Sequence, residues 1–390
     1  MLKLKSKDAF NNKSIKVPFF SPCITDDDRK IIQNTLKNNL LTDGPILENF
    51  ESSFCKFTNS KYAIGVSNAT SALHLSLKSL GITTGDEVII PDMTFIATSS
   101  AIMLTGATPV LADVNDDDFN ISINSIKKNI TSKTKAILPV HFAGQPCDIK
   151  KIAKIAKSND LLLVEDCAHA LGTKFENKHV GTFGNTGCFS FYPTKNITSI
   201  EGGMVITNSK KTAKFILSSR NHGLTKSLKN RFSKGKPWDY DVIEPGYNYR
   251  LDEIRSALVF NQLKRIKKIN LKRKIACDYY NSKLKNIFGI SIPTYSISTA
   301  TSSSYHLYII KITNDFKISR DELFKKLLDA GIQTSVHYKP LHEFTILKTK
   351  GKINDKLKTT KILYNQIISL PLYQNITRKE QDIVIDCIKN

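Results

Sequence analysis

The alternation of short apolar runs with helical segments between residues 60 and 210 constrains the fold most strongly. Six runs with β-rich composition are strand candidates: 87–91, 108–114, 135–142, 161–168, 187–192 and 203–207. Segments 69–81 and 148–160 lie between them and are typical of helices. Near-continuous apolar strands alternating with helices predict a mostly parallel sheet with helices on both faces. We therefore predict an α/β fold whose functional residues collect at the carboxyl ends of the strands.

The pattern changes after Arg250. Residues 251–286 predict one long helix with an apolar face, and residues 304–312 and 332–338 predict strands. Ser319 is a candidate N-cap for a helix at 319–331, and a capping-box pattern at 377–380 opens the last helix. We predict a large domain at 1–250 and a smaller C-terminal α/β domain at 251–390, joined by the long helix.

The composition is that of a globular protein, with 41% apolar and 24% charged residues. We find neither an apolar run of membrane length nor a signal peptide, so we expect a cytoplasmic protein without a membrane partner. Seven scattered cysteines without a C-x-x-C pair fit a reducing compartment and predict no metal site. The net charge of +22 could indicate nucleic-acid binding, but the lysines are spread along the chain and no aromatic–basic module appears. A positive field also suits a small anionic substrate.

Lys195 lies at the end of a predicted buried strand, within the stretch FSFYPTKNITSIEGGM at 189–204. Burial lowers the pKa of a lysine amine towards the neutral state, in which it attacks carbonyl groups and forms Schiff bases. If the carbonyl belongs to pyridoxal phosphate, the cofactor also needs an acid beside its ring nitrogen. Its phosphate needs the amides and hydroxyls of a helix N-terminus, and its ring needs an apolar or aromatic face.

The sequence offers candidates for all three requirements. Asp166 ends the apolar run LLLVED at 161–166, where a carboxylate is costly unless it pairs with a cation such as a protonated pyridine nitrogen. Phe95 follows the strand 87–91 and could cover the ring. His141 also lies at a predicted strand end. Asp166 could equally be a strand-end carboxylate bonded to loop amides, and Phe95 could be an ordinary core residue.

The phosphate candidates lie on a helix and a strand. Ala69, Thr70 and Ser71 form the first turn of the helix at 69–81, and Ser190 precedes the lysine. Ser71 could simply cap the helix, and Lys195 alone could be a surface residue with a buried stem. The order of phosphate helix, aromatic residue, acid and then lysine before Glu-Gly-Gly favours cofactor binding.

Taken together, the motifs resemble those of the DegT/DnrJ/StrS family, whose members are sugar aminotransferases with the aspartate-aminotransferase fold (pyridoxal-phosphate fold type I). The similarity runs from LLTDGPILENFE at 40–51 to SLPLY at 369–373. Its most specific segments appear in the same order along the chain: GVSNATSALHL, PDMTFIATSSAI, PVHFAGQPCDI, VEDCAHALGT, FSFYPTKNITSIEGGMV, RNHG, GYNYRLDEIRSAL and VHYKPLH.

The resemblance implies roles around the cofactor ring. Lys195 corresponds to the lysine that forms the Schiff base, and Asp166 to the partner of the pyridine nitrogen. His169 occupies a position usually held by His or Gln close to the ring. Phe95 corresponds to the stacking aromatic residue. Lys195, Asp166 and His169 would form the catalytic centre, and Phe95 would help to bind the cofactor.

The resemblance also implies roles around the phosphate and the substrate. Ala69, Thr70 and Ser190 correspond to the phosphate-binding residues. Asn248 matches an asparagine that reaches the phosphate from the neighbouring subunit, which implies a homodimer, and Arg250 is expected to hold that loop by a salt bridge. The substrate-side loop corresponds to His337 and Tyr338.

The sequence departs from the family pattern beside the lysine. Tyr192 stands where many relatives have His, and Ser199-Ile200 stands where Thr-Gly is common. One branch of the family carries His in place of the lysine and removes a sugar hydroxyl, so the lysine at 195 favours transamination. The resemblance therefore implies a pyridoxal-phosphate-dependent aminotransferase. It would convert a nucleotide-activated keto sugar to an amino sugar for surface polysaccharide or glycan synthesis, with glutamate as donor.

Two alternatives stay open at this stage. The chain could be a non-catalytic binding protein with the same fold, or a related enzyme that acts on amino acids. Such enzymes usually bind the substrate carboxylate with an arginine of the small domain. No arginine lies between Arg273 and Arg320, and we expect Arg320 to be a surface residue at a helix start. The sequence leaves open whether the nucleotide is UDP, dTDP or GDP, and whether the amine is placed on C3 or C4.

Overall fold

A mixed sheet of eight strands forms the centre of the computed structural model, which describes residues 15–225, 236, 238–294 and 300–390. Its spatial order is β1–β9–β8–β5–β4–β2–β3–β12. The strands are β1 (Tyr62–Val66), β2 (Glu87–Pro91), β3 (Thr108–Ala112), β4 (Thr134–Ile137), β5 (Leu162–Asp166), β8 (Thr186–Ser190), β9 (Gly203–Thr207) and β12 (Lys352–Ile353). Between β5 and β8, a two-stranded hairpin is formed by β6 (Lys174–Phe175) and β7 (Lys178–His179).

Most neighbouring strands of the large sheet are parallel, which confirms the predicted α/β class. Strand β9 is antiparallel to both β1 and β8, and the other pairs are parallel. Runs 87–91 and 203–207 were placed correctly, whereas the other four strands end two to five residues before the predicted bounds. Strand β1 was not predicted.

Helices cover both faces of the sheet. Those before residue 250 are α1 (Asp26–Thr35), α2 (Pro45–Thr58), α3 (Ala69–Ser79), α4 (Ile96–Met103), α5 (Ile123–Asn129), α6 (Ile149–Ser158) and α7 (Lys210–Ser219). Within β2, Val88 and Ile90 pack into the core that includes Leu73 of α3, whereas Ile89 packs into a second core with Ile152 of α6. This alternation explains why β2 is a continuous apolar run.

A second, three-stranded sheet has the antiparallel order β10–β11–β13. Its strands are β10 (Ile290–Ser291), β11 (Tyr308–Ile312) and β13 (Ile367–Leu370). The remaining helices are α8 (Glu253–Leu263), α9 (Ile266–Leu284), α10 (Arg320–Asp329), α11 (Thr345–Lys350), α12 (Lys358–Gln366) and α13 (Arg378–Lys389). The predicted N-cap at Ser319 and the capping box at Thr377 are both present. The short β12 returns to the large sheet beside β3, and the domain division at residue 250 stays a prediction.

The prediction of one long helix at 251–286 is wrong. Helices α8 and α9 are separated at Lys264 and Arg265, where the Arg265 N–H donates to the Gln262 carbonyl three residues back. The Arg265 guanidinium binds Asp28 at 2.7 Å and Thr25 at 2.8 Å. Tertiary contact with the start of α1 therefore accompanies the break, and helix propensity alone does not reveal it.

The strand predicted at 332–338 is absent from the described residues, and the position of Arg320 was predicted incorrectly. Residues 332 and 335 form only isolated bridges, to Val17 and Ser369, so the segment's backbone hydrogen bonds are divided between two partners. The third strand of the small sheet is instead β13. Arg320 is buried, and its guanidinium donates to the carbonyls of Tyr364 and Ile367. Within the described residues, no helix has the length and apolarity needed to cross a membrane.

Candidate active site

Asp166 is the last residue of β5 and lies at the carboxyl edge of the large sheet. Its side chain is buried, and its oxygens accept the Thr98 hydroxyl at 3.0 Å and the Ala168 N–H at 3.0 Å. Burial raises the pKa of the Asp166 carboxyl, although these hydrogen bonds and the charges of Lys195 and His141 act in the opposite direction. A cationic ring nitrogen beside this carboxylate would therefore be strongly favoured.

Lys195 lies in the turn that follows β8, where its N–H donates to the Tyr192 carbonyl. It borders two adjoining cavities, one of them shared with His306, His337 and Tyr338. Burial lowers the pKa of the Lys195 amine to about 8, and the charge of Asp166 partly opposes this change. A substantial fraction of the amine is therefore neutral near physiological pH, as a nucleophile or a proton acceptor requires.

The N-terminus of α3 forms a cradle for an anion. Asn68 is the N-cap, and its side chain accepts the Ser71 N–H at 2.8 Å, while Ala69 and Thr70 form the first turn. The first N–H groups of a helix have no partners within the helix, so they can bind a phosphate. A Cβ on Gly203 would lie 2.4 Å from the Asn68 carbonyl oxygen. Glycine is therefore required for β9 to approach the start of α3 so closely.

Ser190 lies next to the anion cradle, whereas the Ser71 hydroxyl is engaged in hydrogen bonds at the start of α3. Ser190 ends β8 opposite Gly203 in the β8–β9 register, and its side chain is half-buried. The Ser71 hydroxyl is buried and engaged with Asn68 and Ser67. The alternative that Ser71 caps the helix is wrong, because Asn68 is the N-cap and accepts the N–H of Ser71.

Aromatic and imidazole rings form one wall of the site. Phe95 precedes α4 and is 56% exposed, although the residues around it are mostly buried. Its ring lies 5.9 Å from that of Tyr338, whose hydroxyl lies 3.0 Å from His169 Nε2. His169 is buried, and within the described residues its Nδ1 has no hydrogen-bond partner. Burial, followed by the charges of Lys195 and His337, lowers the pKa of His169 well below its ordinary value, so the ring is neutral.

His337 lies beside Tyr338 on the same loop, and its Nδ1 lies 2.8 Å from the Ser369 hydroxyl. Its ring stacks on Phe19, and burial lowers its pKa to about 3. The N-terminal residues Phe19 and Phe20 thus border the same cavity as Lys195. Sequence reasoning had not connected this segment with the site.

Asn248 is exposed and forms a β-bridge with Asn221. Arg250 donates to the Asn221 side-chain oxygen at 2.6 Å. The predicted salt bridge of Arg250 is therefore wrong for the part of the chain that the structure describes, because the acceptor is an amide and not a carboxylate. Trp238 lies ten residues before Asn248 and is 73% exposed.

The departure at Ser199-Ile200 has a backbone consequence. Ile200 adopts a φ of 71°, in the left-handed region that glycine favours and β-branched residues avoid. Its side chain is 61% exposed, so few contacts offset the strain. Tyr192, the other departure, is 47% exposed.

His141 is part of a separate buried cluster. Its Nε2 lies 3.0 Å from Glu165, and its Nδ1 accepts the Cys147 N–H. Ligand atoms of His141, Glu165 and Cys167 lie within 4.8 Å of one another. Glu165, however, also accepts the N–H groups of Gly181, Phe183 and Gly184, so the cluster is already satisfied without a cation.

Sequence reasoning missed two polar residues beside the lysine. Asn196 and His306 are joined by a contact of 3.1 Å between Oδ1 and Nδ1. Asn196 directly follows Lys195, a position that could have drawn attention. His306 lies just before β11, and its apolar neighbours concealed it within a predicted strand.

The residues present fit pyridoxal phosphate. Four features match the groups of that cofactor: a buried carboxylate, a lysine with a lowered pKa, an anion cradle at α3, and a buried His169 ring nitrogen that has no partner among the residues the structure describes. The exposed ring of Phe95 offers a face for the pyridine ring. The fold and the site together define the chain as an enzyme of the pyridoxal-phosphate-dependent aminotransferase class.

The chain belongs to the DegT/DnrJ/EryC1/StrS aminotransferase family, whose sequence model matches residues 22–389. It is 38% identical over 375 residues to the uncharacterized protein MJ1066 of Methanocaldococcus jannaschii, covering 96% of this chain and 97% of the relative. It is 33% identical over 377 residues to the spore coat polysaccharide biosynthesis protein SpsC of Bacillus subtilis, covering 96% of each. Among solved structures, it resembles the putative sugar aminotransferase Spr1654 from Streptococcus pneumoniae in its PMP form. That match has a TM-score of 0.89 and 30% identity, covering 96% of this chain and 98% of the other.

Proposed function

We propose that the protein transfers an amino group from glutamate to the keto group of a nucleotide-activated sugar. The observation that carries this proposal is that Lys195 and Asp166 interact electrostatically at the carboxyl edge of the sheet, in a fold that also offers an anion cradle at α3. Membership of a sugar-aminotransferase family supports the sugar acceptor. The description of SpsC as a spore coat polysaccharide biosynthesis protein supports a role in polysaccharide or glycan synthesis.

The proposed mechanism assigns proton handling to Lys195 and Asp166. When bound, pyridoxal phosphate stabilises the negative charge that develops on the reacting carbon. The Asp166 carboxylate keeps a proton on the ring nitrogen of the cofactor, and the bonds from Thr98 and Ala168 hold that carboxylate in place. The neutral amine of Lys195 accepts the proton from the α-carbon of glutamate and later returns a proton.

The other site residues bind and orient. We assign the phosphate to Ala69, Thr70 and Ser190, and the exposed face of the ring to Phe95. His169 would donate or accept a hydrogen bond at the ring through its unpartnered Nδ1. Tyr338 fixes the His169 ring through Nε2, and His337 with Tyr338 would border the sugar.

We further propose a cytoplasmic homodimer. All seven cysteines are free, which suits a reducing compartment. Asn248 is exposed and would serve the site of the neighbouring subunit. The net charge of +22 would steer an anionic nucleotide sugar towards the protein.

An enzyme that acts on amino acids alone is the second candidate. Its substrate carboxylate would need an arginine of the small sheet region. The Arg320 guanidinium is engaged with the carbonyls of Tyr364 and Ile367. The Arg273 guanidinium is engaged with the carbonyls of Tyr305, His306 and Leu372. These contacts favour the sugar acceptor.

The test is a panel of UDP-, dTDP- and GDP-linked keto sugars, each incubated with glutamate and cofactor-loaded protein. Mass spectrometry should detect the amino sugar from at least one of them, and Lys195→Ala should form none. Lys195→Ala should also lose the visible absorbance of the Schiff base. Failure of every sugar with a protein that retains this absorbance would refute the sugar assignment, and absence of the absorbance in wild type would favour a non-catalytic protein.

A further inference from the structure

His306 has no role in the mechanism described so far. We propose that its Nε2 accepts a hydrogen bond from the ε-ammonium of Lys195 whenever the lysine is not bound to the cofactor. His306 would thus be a positioning residue that keeps the released lysine within reach of the reacting carbon. This inference rests on the proposed function.

A chain of side-chain amides fixes the tautomer of His306. Asn270 Nδ2 donates to the Leu171 carbonyl at 3.0 Å, so the Asn270 oxygen faces Asn196. Asn196 Nδ2 donates to that oxygen at 2.8 Å and to the Ser304 carbonyl at 2.7 Å. Asn196 Oδ1 is therefore the acceptor that faces His306 Nδ1 at 3.1 Å. A backbone carbonyl can only accept, so the whole chain has one direction, and Nδ1 of His306 must carry the proton.

The ring of His306 is also held in place. Its side chain is only 3% exposed, and its backbone carbonyl accepts the Arg273 guanidinium at 2.6 Å. Its ring centroid lies 4.4 Å from that of His169. Burial, followed by the charges of His169, Lys195 and Arg273, lowers the pKa of His306 well below its ordinary value. His306 is therefore a neutral imidazole with its proton on Nδ1 and a lone pair on Nε2.

Lys195 and His306 border the same cavity, together with Thr194, His337 and Tyr338. An ammonium group carries three donors and needs acceptors when it is removed from water. Among the described residues, eight titratable groups interact electrostatically with Lys195 or share its cavities: Cys23, Asp166, His169, Arg273, His306, His337, Tyr338 and Tyr373.

These groups differ in their capacity to accept a hydrogen bond from the lysine. Asp166 already accepts bonds from Thr98 and Ala168 and is assigned to the ring nitrogen of the cofactor. His169 Nε2 lies beside the Tyr338 hydroxyl and its Nδ1 is assigned to the cofactor ring, while His337 Nδ1 lies beside the Ser369 hydroxyl. The protein fixes the tautomer of the His306 ring in advance, so Nε2 of His306 is an acceptor that is ready for the lysine.

The test measures the protonation of Lys195 without any turnover. Pyridoxal phosphate is added to cofactor-free protein, and the rate of Schiff-base absorbance growth is followed against pH, because only the neutral amine reacts. An acceptor stabilises the ammonium form, so its loss lowers the pKa of the lysine. The midpoint of the rate–pH profile should therefore lie about one pH unit lower for His306→Leu than for wild type, which is a tenfold change in the amine–ammonium equilibrium. His306→Gln is the matched control, since its side-chain oxygen can replace Nε2 and should keep the midpoint near that of wild type.

A second measurement does not depend on any variant being active. Nitrogen NMR of wild-type protein labelled in histidine should show His306 neutral with its proton on Nδ1, the signal being assigned by its loss in His306→Gln. A proton on Nε2 would overturn the inference, as would equal midpoints for His306→Leu and wild type. If wild-type Lys195 fails to capture pyridoxal phosphate at all, the proposed function fails and this inference fails with it. If wild-type protein captures pyridoxal phosphate but the pH midpoint of His306→Leu does not shift, this inference fails and the proposed function stands.

Discussion

At the scale of single residues, the site holds two ionisable side chains whose pKa values differ from those they would have in water. Lys195 has a pKa lowered to about 8 by burial, and Asp166 has a carboxyl whose pKa burial raises. Each state costs folding free energy, and both groups would become useful once a cofactor with a carbonyl carbon and a basic ring nitrogen is bound. Such pairs of oppositely perturbed groups mark functional sites more reliably than either residue alone.

We expect Asp166→Asn to lower the rate of amino transfer by about 10²- to 10³-fold, the range seen when one preorganised electrostatic contact is lost. The amide keeps the shape of the side chain but cannot hold a proton on the ring nitrogen. Stopped-flow absorbance with glutamate measures the first half-reaction directly. Thr98→Val is the control, because it removes one bond to Asp166 and keeps the carboxylate, so its loss should be far smaller.

Ile200→Gly should make the cofactor-free protein more stable by about 1 kcal/mol, because glycine adopts a left-handed backbone without a steric penalty. The φ of 71° at Ile200 is the reason for the expectation. Urea unfolding measures the change. Ile200→Ala keeps a Cβ and should gain less, and equal stability of both variants would argue against strain at this residue.

At the scale of helices and strands, sequence patterns identified the elements whose signals lie within a few neighbouring residues. Strands β2 and β9 were placed correctly because all their residues are buried and, apart from Glu87 and Thr207, apolar or glycine. Ser319 was identified as a cap from its residue type and Thr377 from its capping-box pattern, and both caps bond to a residue only three positions further along the chain. These features depend on short-range interactions, which a single sequence displays.

Elements that depend on distant contacts could not be predicted. The break between α8 and α9 accompanies the contact of Arg265 with Asp28, 237 residues away. The charge of Arg320 suggested a surface position, yet its guanidinium binds carbonyls 44 and 47 residues further along the chain. Within the site, motifs identified Lys195 and Asp166, whereas the contact of Asn196 with His306 spans 110 residues.

The Arg265 contact should contribute measurably to stability. Burial alone would raise the pKa of the Asp28 carboxyl, but the bonds from Arg265, Thr25 and Asn261 outweigh it and lower that pKa. We expect Arg265→Ala to lower the free energy of unfolding by about 2 kcal/mol near pH 7, because the Asp28 carboxylate loses its charged partner. The effect should shrink as the pH falls through the lowered pKa of Asp28, since the protonated carboxyl no longer needs a cation.

Chemical unfolding at several pH values measures this effect. Arg29→Ala is the control, because Arg29 pairs with Asp26, whose side chain is 99% exposed, and such pairs contribute little. Equal losses for the two variants would show that α1 is not held by the Arg265 contact.

At the scale of the whole molecule, the proposed dimer should show complementation between subunits. Lys195→Ala and Asn248→Asp subunits should each be poorly active alone. After mixing and reassociation, activity should return to about a quarter of the wild-type value, because random pairing makes half of the dimers mixed and each mixed dimer has one intact site. Steady-state rates and size-exclusion chromatography measure the result. If Asn248 served the site of its own subunit, no activity would return.

The exposed Trp238 provides a way to follow that association by intrinsic fluorescence. It is the only tryptophan in the sequence and lies ten residues from Asn248, so the emission of unlabelled protein comes from one position near the proposed contact. Burial of an indole shifts its emission to shorter wavelengths. A dilution series that moves the emission maximum to longer wavelengths would therefore yield the dissociation constant of the pair without dyes or engineered probes.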